Sequence, residues 1–280
     1  MSTAAEIKRQ EYQLSPAEYS RICQLVHQHT GIALSENKRE LVYSRITRRL
    51  RKLNLDGFAQ YLELLETGDA AEIEEFTNAI TTNLTSFFRE DHHFEHLAKE
   101  VLPALQRANA MTRRLRIWSA GCSTGEEPYS IAMVLHENLG LFPGWDVRIL
   151  ATDLDSQVLA HGAAGEYVDE RLDKMRADRK RNYFHHKPNG RWQVSNAVRE
   201  LITFKQLNLM HDWPMRGPFD VIFCRNVMIY FDKETQRRLV DRFADMLVDN
   251  GHLFIGHSES LFNVSDRFRL IGKTIYRKAR

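Results

Sequence analysis

At 280 residues the chain is long for one compact domain and comfortable for two, since domains usually run to about 100–200 residues. Its 43% hydrophobic and 27% charged residues allow a sizeable core, and a net charge of +2 excludes neither nucleic acid nor an acidic protein as partner, because distribution matters more than the total. Three distant cysteines with no C-x-x-C pair argue against a disulfide framework or a zinc site; Met1 to Gln13 is polar and no run of about 18 apolar residues occurs, so neither a secretory leader nor a spanning helix is expected and the setting reads as cytoplasmic.

Ser15-Pro16-Ala17-Glu18 predicts an N-cap with proline at the first helical position, opening a helix through Ile22, Leu25 and Val26 that Gly31 ends. Ser35 to Asn54 is a second helix, with Leu41, Val42, Ile46, Leu50 and Leu53 on its apolar face. Asp56 is expected to cap a third through Tyr61, Leu62 and Leu65, stopped by Gly68, and Asp69 to open a fourth through Ile73, Phe76 and Ile80. A helical stretch follows from about Asp91 to Met111. Beyond it strands and helices alternate: Leu115 to Ser119, a helix from about Pro128 to Leu139, Val147 to Thr152, a helix from Ser156, then strands at Ile202 to Leu207, Val221 to Cys224 and Leu253 to Ile255, with a helix from Lys233 to Leu247. Alternation of this kind predicts a parallel sheet with helices on both faces. Phe268 to Lys278 suits an antiparallel pair at the sheet edge. Gly165 to Val198 breaks the alternation and reads as a helix-plus-hairpin insertion around Pro188-Asn189-Gly190.

The turn Ala120-Gly121-Cys122-Ser123-Thr124-Gly125-Glu126-Glu127 follows a strand and precedes a helix. Glycines there allow positive φ and close approach to a ligand. In a dinucleotide fold this position cradles a pyrophosphate. Two carboxylates would repel one, and a cofactor carrying a sulfonium and an ammonium suits them better. The alternative is that Glu126 and Glu127 serve only the helix dipole. Asp153 ends the second strand, where an acid can accept both ribose hydroxyls; alternatively Asp153 or Asp155 caps the next helix. A dehydrogenase stays open on these residues alone. Arg225 and Asn226 fall at the carboxyl end of an almost wholly apolar strand, the edge where open α/β sheets bind ligands, and Tyr230 could line the same pocket. The alternative for Arg225 is a salt bridge to a neighbouring loop.

Four stretches carry a resemblance. They are Thr82-Asn83-Leu84-Thr85-Ser86-Phe87-Phe88-Arg89-Glu90, Trp118 to Ser130 around the glycine turn, Ala151-Thr152-Asp153, and Phe223-Cys224-Arg225-Asn226-Val227-Met228-Ile229-Tyr230-Phe231. In this order they resemble the chemotaxis receptor methyltransferase (CheR) family over nearly the whole chain. The resemblance implies an α/β fold with two parts. An N-terminal all-α domain, about 1–90, would recognise receptors. A Rossmann-like S-adenosylmethionine methyltransferase domain, 91–280, would carry a mostly parallel seven-stranded sheet and a small inserted β-subdomain at about 165–200. It implies that Asn83, Thr85 and Arg89 reach over the cofactor, that Glu126 holds the methionyl ammonium and Asp153 the ribose, that Asn208 and Leu209 contact adenine, and that Arg225 and Asn226 contact the cofactor from the fourth strand. Arg89 and Tyr230 would lie nearest the transferred methyl, and S-adenosylhomocysteine would be the product.

Arg45, Arg48, Arg49 and Lys52 fall at i, i+3, i+4 and i+7, which is one helical face. That face is a solvated surface or a dock for an acidic partner; the resemblance points to the glutamate-rich cytoplasmic methylation helices of chemoreceptors. The inserted subdomain resembles one that in some members binds a receptor's C-terminal tail by strand addition, but the compact turn here argues against tethering. The alternatives are an RNA methyltransferase, which the basic helix would suit, and a non-catalytic adaptor that senses the cofactor; neither nucleic-acid binding nor membrane insertion is expected. His92-His93 and His185-His186 read as exposed or helix-capping, and no metal is expected. Gly256-His257-Ser258-Glu259-Ser260 reads as a pocket-edge loop rather than a hydrolase elbow. Cys122 and Cys224 read as packing residues.

Overall fold

The computed structural model describes residues 11–138, 140 and 142–279; the opening 1–10, and Leu139 where a helix was expected to end, lie outside them. The chain divides into two units, one through Thr81 and one from Thr82. Residues 82–90, expected with the helical domain, belong to the second unit. The reason is packing: Phe87 sets its ring edge-on against Tyr167 and Phe184, at centroid distances of 4.9 and 5.5 Å.

Among the described residues the first unit is built from four α-helices. In α1 (Pro16–Thr30) Ser15 and Glu18 form a capping box: the Ser15 hydroxyl accepts from the Glu18 amide at 3.2 Å, and the Ser15 amide donates to the Glu18 carboxylate at 2.7 Å. Gly31 ends the helix at φ 74°. The second helix starts later than its pattern suggests, because Glu36–Lys38 form a 3-10 turn ahead of α2 (Arg39–Leu53). Leu41 is exposed rather than on the apolar face. The cap of α3 (Phe58–Glu66) is Gly57, because Asp56 is bonded to the Gln60 side chain instead. Asp69 caps α4 (Ala70–Ile80) as expected, accepting from the amides of Ala71 and Glu72. Ile22, Val26, Val42, Ile46, Leu50, Tyr61 and Phe76 fill the core between them.

The basic face of α2 needs correction. Arg49 is buried at 7% exposure, not solvated. Its Nε donates to Glu72 at 3.0 Å and its Nη1 to Glu75 at 2.5 Å, while the Tyr61 hydroxyl donates to Glu72 at 2.6 Å. Arg45 is half-buried and gives its Nη1 to the carbonyls of Ile80 and Thr81 at the end of α4. Arg48 and Lys52 are the exposed pair, and Lys52 stands 3.6 Å from Glu75. An arginine on a helical wheel is drawn inward when a neighbouring helix offers carboxylates at the right height, which spacing alone does not report.

The second unit opens with α5 (His92–His96), a π-turn at Leu97–Val101 and α6 (Leu102–Ala108). The strands are β1 (Arg114–Ala120), β2 (Asp146–Asp153), β3 (Glu166–Tyr167), β4 (Phe184–His186), β5 (Trp192–Val194), β6 (Ile202–Gln206), β7 (Phe219–Cys224), β8 (Leu247–Ile255), β9 (Phe268–Gly272) and β10 (Ile275–Lys278). Seven of them form one sheet in the order β6-β2-β1-β7-β8-β10-β9. The pairs from β6 to β8 are parallel, and β10 joins β8 and β9 antiparallel, as the tail pattern predicts. The insertion adds α9 (Ala177–Tyr183), the short α10 (Asn196–Arg199) and a separate antiparallel sheet, β3-β5-β4.

Every residue of β7 is buried, because helices cover both faces. Ile117 and Phe223 face one layer with Tyr129 and Leu135 of α7 (Glu126–Glu137). Trp118 and Ile222 face the other with Leu239 and Phe243 of α11 (Lys233–Met246). The chain winds outward from β1 to β2 and β6, then returns to β7 on the other side of β1. That reversal opens a crevice beyond the carboxyl ends of β1 and β7. Cys122 and Cys224 are fully buried, as packing residues should be. His185 and His186 are exposed. His93 is not: it has no exposed surface and lies edge-on against Phe254 at 5.5 Å. No helix among the described residues is long and apolar enough to cross a membrane.

Candidate active site

The turn after β1 is pinned to the neighbouring strand tip. The amides of Gly121 and Cys122 both donate to the Thr152 carbonyl, at 2.8 and 2.9 Å. Gly121 and Gly125 adopt φ of 82° and 95°. Their missing side chains also serve the protein itself. A Cβ at Gly121 would collide with Val227 Cγ2, and one at Gly125 would meet the Gly162 Cα at 2.9 Å. The turn therefore nests against the loop after β7 and against α8 (Ser156–Ala164).

Glu126 and Glu127 open α7, and both are buried. They divide the labour. Glu127 accepts from the Ser119 hydroxyl at 2.7 Å and from Arg225 Nη1 at 3.1 Å. Burial pushes its carboxyl up, and the Arg225 guanidinium opposes that. Glu126 accepts from the Thr124 hydroxyl through Oε2 at 2.6 Å, but its Oε1 has no hydrogen-bond partner. Arg171 Nη1 stands 3.5 Å from that oxygen. A buried carboxylate oxygen without a donor is rare and costly, and it fits an incoming primary ammonium.

Asp153 ends β2 as a buried acid. Its Oδ2 accepts from the Ser123 amide at 2.7 Å and its Oδ1 from the Asp155 amide at 3.0 Å. Each oxygen keeps a second lone pair, so two ligand hydroxyls can still be accepted. Asp155 is the helix cap: it accepts from the amides of Gln157 and Val158. The two acids thus take separate roles. The Asp153 carbonyl accepts from the Leu207 amide at 2.9 Å, which places the Asn208-Leu209 turn beside it. Asn208 caps that turn through the Met210 amide, and the Leu209 carbonyl accepts from Arg242 at 2.6 Å.

The segment 82–90 crosses the same tips. Asn83 donates to Asp155 at 2.8 Å, and its carbonyl accepts from the Ser123 hydroxyl at 3.0 Å. The Thr85 carbonyl accepts from Arg171 at 3.0 Å. Arg89 donates through Nη1 to the Leu84 carbonyl at 2.9 Å, which curls the segment on itself. Arg225 is buried, and its partners are Glu127, the Arg89 carbonyl and Glu90, whose Oε2 lies 3.4 Å away. These contacts are the salt bridge to a neighbouring loop rather than an open guanidinium. Arg225 Nε alone lacks a partner.

Asn226 sits at φ 59° and starts the turn that carries half-buried Tyr230. That turn is held by an acid of the loop Gly256-His257-Ser258-Glu259-Ser260, whose sequence pattern marks only a pocket edge. The buried Glu259 carboxylate accepts from the amides of Asn226, Val227, Ile229 and Gly256, at 2.9, 3.0, 3.2 and 2.5 Å. Its only sequence signal is an acid just past a strand tip.

Glu126 Oε1 without a hydrogen-bond donor, buried Asp153 and paired carboxylates at a helix start suit a cationic nucleoside better than a pyrophosphate. Two family models match the chain: the CheR methyltransferase all-alpha domain over residues 17–81, and the CheR methyltransferase SAM binding domain over residues 83–277. The chain belongs to the CheR family. It is 46% identical to chemotaxis protein methyltransferase 2 of Pseudomonas aeruginosa, over 96% of this chain and 96% of that protein. It is 44% identical to the chemotaxis protein methyltransferases of Salmonella typhimurium (95% of this chain, 92% of that one) and Escherichia coli (94% and 91%). As a CheR protein it is an S-adenosylmethionine-dependent methyltransferase, and the RNA and adaptor alternatives gain no support from these relatives.

Proposed function

We propose that the chain methylates glutamate side-chain carboxylates of chemoreceptors in the cytoplasm, giving glutamyl methyl esters and S-adenosylhomocysteine. The observation that carries the reading is the buried Glu126 Oε1, which no hydrogen-bond donor meets, together with the buried Asp153, in a chain whose named relatives are chemotaxis methyltransferases. The cofactor supplies an electrophilic methyl on a sulfonium. Glu126 holds its ammonium, Asp153 its ribose hydroxyls, and Asn208 and Leu209 its adenine. Asn83 and Thr85 arch over it from the segment 82–90, while Arg225 and Asn226 wall the β7 side. A glutamate has a pKa of about 4.3 and arrives ionised, so it needs orientation rather than a base. Arg89 supplies that orientation through its remaining N–H donors, and Tyr230 lines the approach. Arg48 and Lys52 are the part of the α2 face available to dock an acidic receptor helix.

Incubation with methyl-labelled cofactor and receptor-bearing membranes tests the reading. Label should enter receptor protein and leave as methanol under mild alkali. Alkali-stable label on protein, or label on RNA, would refute it.

Cofactor binding should also depend on pH. Burial raises the Asp153 carboxyl to about 6. Ribose hydroxyls donate to the ionised form, so S-adenosylhomocysteine affinity should fall below that pH by up to about tenfold per unit. Asp153→Asn should bind weakly with no such slope. The effect on stability has the other sign. A carboxyl whose folded pKa is raised favours the folded state below its unfolded value of about 3.9, and that contribution is lost as pH rises through about 6.

A further inference from the structure

At the start of α5, ligand-type atoms of Glu90, His92 and His93 lie within 4.8 Å of one another. One atom of each is buried and has no hydrogen-bond partner: Glu90 Oε2, His92 Nε2 and His93 Nδ1. Buried polar atoms are nearly always hydrogen-bonded, so three such atoms without a hydrogen bond on clustered residues call for an explanation. His93 is wholly buried, and its Nε2 lies 3.1 Å from the Lys273 carbonyl and 3.0 Å from Thr274 Oγ1. A carbonyl only accepts, so Nε2 carries the proton and Nδ1 presents its lone pair. That lone pair is 3.7 Å from Glu90 Oε2. His257 Nδ1, 2.9 Å from Glu90 Oε1, fixes the carboxylate from its other side. A ligand histidine oriented by a backbone carbonyl, and a ligand carboxylate held by a second residue, are the outer supports that metal sites use.

We propose that Glu90, His92 and His93 bind one divalent transition-metal ion of the zinc class. Two imidazoles and one carboxylate suit zinc and its neighbours, whereas magnesium and calcium seek more oxygens. Ligand atoms around a tetrahedral zinc stand about 3.3 Å apart at bond lengths of about 2.0–2.1 Å, so small side-chain rotations close the cluster. Arg225 opposes the ion, since its Nη2 is 3.4 Å from Glu90 Oε2. Its contacts to Glu127 and the Arg89 carbonyl remain when that long contact is lost, so the guanidinium is not left bare.

Cobalt(II) titrated into the chelator-stripped full chain reads the site directly. Visible bands of a four-coordinate ion should saturate at about one equivalent and disappear on adding zinc. His93 lies in the core, so the variants are His92→Ala and Glu90→Gln, each removing a direct ligand and weakening binding by at least about tenfold. A double His185→Ala, His186→Ala control should bind as the unaltered chain does. Six-coordinate spectra, several weak equivalents, or binding indifferent to His92→Ala would mean capture by surface histidines only and would overturn the proposal.

Discussion

Glu126→Ala should weaken S-adenosylhomocysteine binding by about 2–3 kcal/mol, roughly 30- to 150-fold in Kd, while leaving the unliganded protein as stable as before or more so. The two effects have opposite signs for one reason. In the free protein Glu126 is fully buried and its Oε1 has no hydrogen-bond donor, only the Arg171 guanidinium at 3.5 Å, so its desolvation is compensated only in part. Alanine removes that cost together with the Thr124 contact. In the complex the same oxygen gains a charge-assisted partner, and alanine forfeits it. Calorimetric titration and a melt with and without ligand measure both quantities. A change in Kd of less than about threefold would remove Glu126 from the ammonium site.

The second large effect lies in the first unit. Glu72→Ala should cost about 3–5 kcal/mol, because it strips buried Arg49 of its two-pronged partner and leaves the Tyr61 hydroxyl without its acceptor. Glu75 still reaches Arg49 Nη1 and sets the lower end of that range. Breaking one side of a buried pair differs from replacing both sides. The double variant Arg49→Met, Glu72→Leu should recover most of the loss, since neither charge then needs compensation. Urea unfolding of the three proteins decides the matter. A Glu72→Ala cost below about 1 kcal/mol would show that the network is solvated in practice.

Both predictions rest on side chains whose importance is unevenly visible in the sequence. Glu126 was legible because its signal is local: a glycine turn between a strand and a helix, with an acid where a phosphate would sit. Asp153 was legible as an acid at a strand tip. Glu72 was not, because nothing in Ala71-Glu72-Ile73 says that Arg49 of another helix will reach it. Glu259 was missed similarly, since its four amide partners include three from a loop about 30 residues earlier in the chain.

The order of helices and strands, the caps at Ser15 and Asp69, the glycine turn after β1 and the family are all written in local stretches of the chain. These depend on backbone preferences and apolar periods within a few residues, which the chain carries wherever it goes. Tertiary structure decided which charges were surface and which were internal. It turned Arg49 and Arg225 inward to carboxylates, gave Asp56 to Gln60 instead of a helix cap, drew residues 82–90 into the second unit, and buried His93 beside Glu90. Each outcome depends on which group a folded neighbour places within reach of a hydrogen bond, an ion pair or a ring contact, and such interactions weaken steeply with distance. No local pattern encodes that placement.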